Sequence, residues 1–299
     1  MSSSPGQVYT SNDGGLTWTE QTNAPTANWT SVTLASPDGQ HIVATDASGQ
    51  IWQSLNGGST WSNTSTPVGT SNSWSATASS ADGNLLAATA SPGPLYISMD
   101  GGQTWILQST LGNQTWSSVA VSADGSKIVA TVDGGNIYTY ENGAWTLQTN
   151  AGQRDWSSVA ISSDGRVIVA GVDGGPLYIS KDGGLTWQPD SSAGNQSWSS
   201  ITLNADATIG MAATNGGYLY QINLAGVTPA PTRQPTRSGG LTPVIPAGKQ
   251  NWSSVSSSSS GSTMIASVDG GYVYVSYDRG STWIPKVDLG NQRYVKGCR

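Results

Sequence analysis

The 299-residue chain holds 38 Gly, 13 Trp, no Phe and only 10% charged residues, a composition that predicts many short strands joined by tight turns and argues against long helices. Twelve basic against eighteen acidic residues give a net charge of −6, and without a basic cluster no nucleic-acid partner is expected, because phosphates demand clustered Lys and Arg. One cysteine, Cys298, excludes an internal disulfide framework and a thiolate metal site, and no stretch approaches the 18 apolar residues of a membrane span.

The opening MSSSPGQVYT has neither the basic start nor the apolar stretch of a signal peptide. A hairpin is expected from about Tyr9 to Trp18. Repeat units then begin at Trp29, Trp74, Trp116, Trp156, Trp198 and Trp252, at spacings of 45, 42, 40, 42 and 54, the period of one four-stranded propeller blade. The unit Trp116–Asp155 is copied almost residue by residue in Trp156–Ser197. Within it SSVAVS predicts a first strand, ADG a turn, KIVATV a second strand and DGG another turn, before an outer hairpin of NIYTY and AWTLQT. Such a sheet cannot bury both faces alone, and packing blades around a closed ring solves this while protecting the edges.

After Tyr220 one unit loses its acid and Trp and gains a Pro-, Thr- and Arg-rich segment, which predicts an exposed extended loop over 227–248 inserted in a single domain, 1–299. A proline-recognising partner is one use for it. Seven outer hairpins start near Tyr9, Trp52, Tyr96, Tyr138, Tyr178, Tyr220 and Tyr274 against six complete units, and the chain continues LGNQRYVKGCR, with Tyr294 in the place of the next Trp. The expectation is therefore an all-β propeller with seven blades, the last composite or incomplete and built from both termini; six blades plus a spare hairpin is the alternative.

The outer hairpins carry S-x-D-x-G-x-T-W: Ser11/Asp13/Trp18, Ser98/Asp100/Trp105, Ser180/Asp182/Trp187 and Ser276/Asp278/Trp283, with an Asn56 variant ending at Trp61. This pattern resembles the Asp-box, or bacterial neuraminidase repeat, and with the units between covers nearly the whole chain. The resemblance implies a propeller of the kind found in sialidases, sortilin-type receptors, xyloglucan hydrolases and a photosystem II assembly factor, and implies no single function. A turn carboxylate accepting backbone N–H bonds, beside glycines free to take positive φ, is a scaffold device. The boxes are read as structural.

The sialidase chemistry that the resemblance would imply needs three converging arginines, a Tyr paired with a Glu and an Asp acid. The Arg-Ile-Pro signature is absent, and the two glutamates, Glu20 and Glu141, fall in or beside outer hairpins. A lone His41 builds neither a triad nor a His-based metal site. Asp133, Asp173 and Asp269 recur in VDGG turns, where a plain turn outweighs a weak calcium site. The expectation is a protein that is not an enzyme, with no metal and no cofactor.

The junctions into each first strand, such as GNQTWSSV and GQRDWSSV, place a Trp beside amides or charges. Indole faces beside amides suit sugars, since C–H surfaces stack while hydroxyls are hydrogen-bonded. Candidate ligand residues are therefore Trp29, Trp74, Trp116, Trp156, Trp198, Trp252, Gln114, Arg154 and Gln196. The favoured function is a lectin-like carbohydrate-binding module with avidity from repeated sites; the competing reading packs these indoles between blades and leaves a protein-binding or architectural scaffold. Open junction rings mark the first and buried rings the second. Arg154 and Arg293 fall in equivalent junctions and Lys249 is close to that position, a weak pointer to protein docking. Partners are thus glycans or a protein. Sequons at Asn28, Asn63, Asn113, Asn195 and Asn251 fit an extracellular or secretory setting, although repeated NQ(S/T)W creates them by itself.

Overall fold

Strand-forming runs, broken by Asp-Gly, Asn-Gly and Gly-Gly, pair within their own unit as one antiparallel sheet. The computed structural model describes residues 6–64, 72–224, 240–244 and 247–289. Six antiparallel four-stranded sheets follow in chain order. Blade 1 is Trp29–Leu34, Ile42–Asp46, Ile51–Ser54 and Ser62–Asn63. Blade 2 is Trp74–Ser79, Leu86–Ala90, Leu95–Ser98 and Ile106–Leu107. Blade 3 is Trp116–Val121, Lys127–Val132, Ile137–Glu141 and Ala144–Gln148. Blade 4 is Trp156–Ile161, Ile168–Val172, Leu177–Ser180 and Gln188–Asp190. Blade 5 is Trp198–Leu203, Ile209–Thr214, Leu219–Asn223 and Leu241–Pro243. Blade 6 is Trp252–Ser257, Met264–Val268, Val273–Ser276 and Ile284–Lys286.

First strands of successive blades pack side by side and line a central cavity of about 490 Å³, walled by Ser, Thr, Ala, Val and Ile side chains. The core is divided between neighbours. In blade 3, Ile128 and Ala130 pack with Leu95 and Ile97 of blade 2, while Val129 packs with Trp156 of blade 4. This follows from the two-residue side-chain period of a strand: alternate positions serve alternate neighbours.

The described residues hold six complete blades and a two-stranded hairpin, Tyr9–Thr10 with Thr19–Glu20, which is the alternative of six blades plus a hairpin. The stub assigned to a seventh blade, residues 290–299, lies outside them. The hairpin sits between blades 6 and 1. Gly15 lies against Val275 of blade 6, and Asn23 Nδ2 donates to Ser59 O of blade 1 at 3.1 Å, as Asn150 Nδ2 of blade 3 does to Leu185 O of blade 4. The loop expected over 227–248 needs a correction: Leu241–Pro243 within it is the outer strand of blade 5, pairing Leu241 with Ile222. Ile222 and Leu241 lie in one apolar cluster, which is why the detour returns to the sheet. Residues 227–239 and 245–246 of that segment lie outside the described ones.

Candidate functional site

The junction indoles are the first candidates, and their placement follows from a bulge. In every blade the pairing of first and second strands slips between the Trp and the residue two positions on, and the extra residue re-aims the Trp. Trp74, Trp116, Trp156, Trp198 and Trp252 are between 0% and 3% exposed. Each meets the third-strand Tyr of its own blade (Tyr96, Tyr138, Tyr178, Tyr220 and Tyr274) edge-on, with centroids 5.2–5.8 Å apart. Trp116 Nε1 donates to Gly93 O and Trp198 Nε1 to Gly175 O, each in the preceding blade. These five indoles have no open face for a sugar to stack on. The expectation of open rings is corrected for them by burial between blades. Trp29 alone is partly exposed, and it meets Trp61 instead, at 5.9 Å.

The two residues after the Trp, which the sequence left without a role, are blade fasteners. The first ties the bulge within its blade: Ser117 Oγ donates to Thr131 O at 3.2 Å, and Thr30, Ser75, Ser157 and Ser253 repeat the bond to the matching carbonyl. The second joins blades. Ser31 Oγ accepts from Thr77 N at 3.0 Å, Ser118 Oγ from Val159 N at 3.3 Å and Ser158 Oγ from Ile201 N at 3.0 Å. The repetition of W-S-S was the signal available for this.

The polar candidates are occupied locally. Gln114 Nε2 donates to Leu111 O at 2.9 Å and Gln196 Nε2 to Ala193 O at 2.8 Å, closing the loop before each Trp. Arg154 Nε donates to Ala151 O at 3.1 Å, and its guanidinium lies 4.5 Å from the Tyr178 ring centre. Lys249 extends over Tyr218 at 5.3 Å and is exposed. Arg293 lies outside the described residues. Two cation–aromatic pairs thus remain on the junction face.

The boxes have the geometry of a turn lock. In blade 2, Ser98 Oγ donates to Asp100 Oδ1 and accepts from Gly102 N, both at 2.8 Å. Thr104 donates its N–H to Asp100 Oδ1 at 2.8 Å and its hydroxyl to Oδ2 at 2.6 Å. Asp13, Asp182 and Asp278 repeat the set, and Asn56 keeps it with its amide oxygen accepting from Thr60 N at 2.8 Å. The hydroxyl and N–H of Thr104 hold the Asp100 carboxyl at a pKa of about 2, and Thr17 does the same for Asp13. Trp105, Trp187 and Trp283 are buried beneath their boxes, Trp18 and Trp61 partly so. Trp61, Trp187 and Trp283 donate to the Gly carbonyl of their own turn.

The remaining acids stand apart. Glu141 pairs with Lys127 at 3.1 Å in blade 3, and Glu20 lies on the N-terminal hairpin beside Tyr9. Asp133, Asp173 and Asp269 are exposed on separate turns, and among the described residues no three His, Cys, Asp or Glu side chains are placed to hold a metal together. No helix among them is long and apolar enough to cross a membrane. His41 is half-buried beside Gly83 of blade 2, and burial lowers its pKa.

A family model described as Sortilin, neurotensin receptor 3, matches residues 6–152, just under half of the chain. No curated protein sequence matches. Among solved structures, a YCF48 described as bound to D1 peptide superposes with a TM-score of 0.66 at 16% identity, over 90% of this chain and 86% of that one. The Cps50 (Swd1) β-propeller domain of Myceliophteria thermophila reaches 0.70 at 12% identity, over 90% and 88%. The GH74 enzyme of Niastella koreensis reaches 0.58 at 15% identity, over 98% of this chain and 63% of that one. Identities this low speak to fold alone. The superpositions and the six sheets make this chain a β-propeller, its outer hairpins carry Asp-box turns in register with the blades, and the sortilin-type match covers its first half.

Proposed function

We propose that this chain is a non-catalytic binding scaffold whose ligand is a protein or peptide presented to the junction face. The observation that carries the reading is the burial of five junction indoles, which removes the stacking platforms a multivalent lectin needs. What the face offers instead is Arg154 over Tyr178 and Lys249 over Tyr218, groups suited to carboxylate and backbone carbonyl recognition by a polypeptide. The YCF48 propeller described with a D1 peptide is an instance of this fold holding a peptide. Catalysis is not assigned: Glu20 and Glu141 lie in the outer hairpins of different sheets, and the box carboxylates are committed to their own turns. Glycan binding through Trp29, the one partly exposed junction indole, is the reading that competes.

Parallel screening of the purified chain on peptide and glycan arrays tests this. Saturable peptide binding weakened at least tenfold by Arg154→Ala/Lys249→Ala, with no glycan bound, is the expected result. Glycan binding lost in Trp29→Ala, or turnover of a xyloglucan or sialoside, would overturn it.

A further inference from the structure

Blade 3 closes its outer hairpin differently from its neighbours. The N-terminal hairpin and blades 1, 2, 4 and 6 build this turn from a box, whereas blade 3 turns through Asn142 and Gly143, at φ 53° and 83°. Positive φ at both residues is the two-residue turn that matches strand twist, and Glu141 pairs directly with Ala144. The outer strand Ala144–Gln148 therefore runs for five residues, against two or three in the outer strands of the other five blades.

The outer edge of this strand is open. In blades 1, 2 and 5 the residue closing the outer ladder donates its N–H to the third strand: Thr64 to Ile51 O, Gln108 to Leu95 O and Val244 to Leu219 O, at 2.7–2.9 Å. Gln148 holds that place in blade 3, paired with Ile137. Ladder alternation then turns the N–H and C=O of Leu147 and Trp145 away from the sheet, and no backbone bond from another described residue meets them there. Leu147 is 43% exposed, and Ala144 and Thr146 are exposed beside it. Three blades block the same position. Pro189, Pro243 and Pro285 stand opposite Tyr178, Tyr220 and Tyr274 as Leu147 stands opposite Tyr138. Proline there removes the outward amide at no loss to the ladder, a recurrent guard of sheet edges. Blade 3 combines the longest outer edge with no such guard.

We propose that the outer edge of Ala144–Gln148 is a binding site for an extended β-strand of a partner protein. This goes beyond the junction-face reading and stands without it. Trp145 is held by Nε1 donation to Gln108 Oε1 of blade 2 at 3.0 Å and by Tyr140, with centroids 5.2 Å apart. Leu147 shares its face two residues on, so the incoming strand carries branched apolar side chains at the two positions opposite them, and no proline there. Ala144–Gln148 has no charged side chain. Glu141, paired with Lys127 yet half exposed at the turn end of the edge, favours a basic residue on the segment that passes it. A second copy of this chain is a poorer occupant. Joined edge to edge, two copies would share five residues each, where a stable interface takes about 20–30 a side. A single strand binds through its backbone and needs no broad surface.

The probe is a fluorescein-labelled peptide KTVTVTK, titrated into the 299-residue protein and read by anisotropy. Saturable binding is expected, with hydrogen exchange slowed at the Trp145 and Leu147 amides. N-methylation of both valines should weaken binding at least tenfold. So should the protein variant Leu147→Pro, whose proline already stands at this position in blades 4, 5 and 6; the peptide variant keeps the test decisive if the protein variant does not fold. Absence of saturable binding, or equal binding of the N-methylated peptide, overturns the proposal. Protection that appears at the junction residues 152–156 instead of at Leu147 also overturns it. So does a Leu147 amide already protected in the free monomer, which would show the chain covering its own edge, or a dimer by sedimentation that Leu147→Pro dissolves, which would make a second copy the occupant.

Discussion

Thr104 gives Asp100 both a backbone and a hydroxyl bond, so the carboxylate is tied to its turn and favours its charged form. With the native pKa near 2 for Asp13 and Asp100 and an unfolded value of about 3.9, the unfolded chain binds more protons in between. The contribution is complete above about pH 4 and is lost as pH falls toward 2. Melting temperature followed by tryptophan fluorescence should therefore drop across that window, and Asp100→Ala should flatten the drop. Asp100→Asn should lower the melting temperature less than Asp100→Ala, because Asn56 already performs the same backbone capture. Trp116→Ala should cost about 3–5 kcal/mol in urea unfolding, the range for a buried large aromatic, whereas the partly exposed Trp29 should cost less.

At the scale of the element, each sheet depends on turns that only certain residues can make. Gly184 sits at φ +100°, and a Cβ there would stand 3.2 Å from Thr139 Cγ2 of blade 3. Gly184→Ala should destabilise by about 1–2 kcal/mol from backbone conformation alone, measured by equilibrium unfolding. Ser158→Ala should cost about 1 kcal/mol by leaving Ile201 N without its bond. Blade 2 already carries Ala76 in that position, a natural instance of the missing fastener. These strands were legible because Trp116–Val121 and Lys127–Val132 alternate or run apolar between Asp-Gly turns, and local pattern decides a strand's existence. Leu241–Pro243 was not legible as a strand: it follows a long polar detour, and only its contact with Ile222 gives it a place.

At the scale of the whole molecule, the described residues place the N-terminal hairpin between blades 6 and 1. Removing residues 1–23 would strip the hairpin from Val275 and Ser59 and should lower the melting temperature, with hydrogen exchange rising first in the second strand of blade 6 and the first strand of blade 1. A uniform rise across all six blades would instead show the hairpin to be thermodynamically part of every blade interface. Repeat architectures transmit stability between neighbours, so a local effect is expected.

The sequence by itself determined the blade, its period, its turns and the scaffold role of the boxes, because a unit of about 42 residues writes its own hydrogen bonds and side-chain alternation. It also determined that the glutamates belong to outer hairpins. Tertiary structure decided which aromatic faces are open and that Leu241–Pro243 rejoins blade 5 as its outer strand. A junction such as GNQTWSSV reads alike whether its indole faces water or the next blade. Burial belongs to the pair of sheets that meet, and five apolar clusters of described residues lie between consecutive blades from 1 to 6.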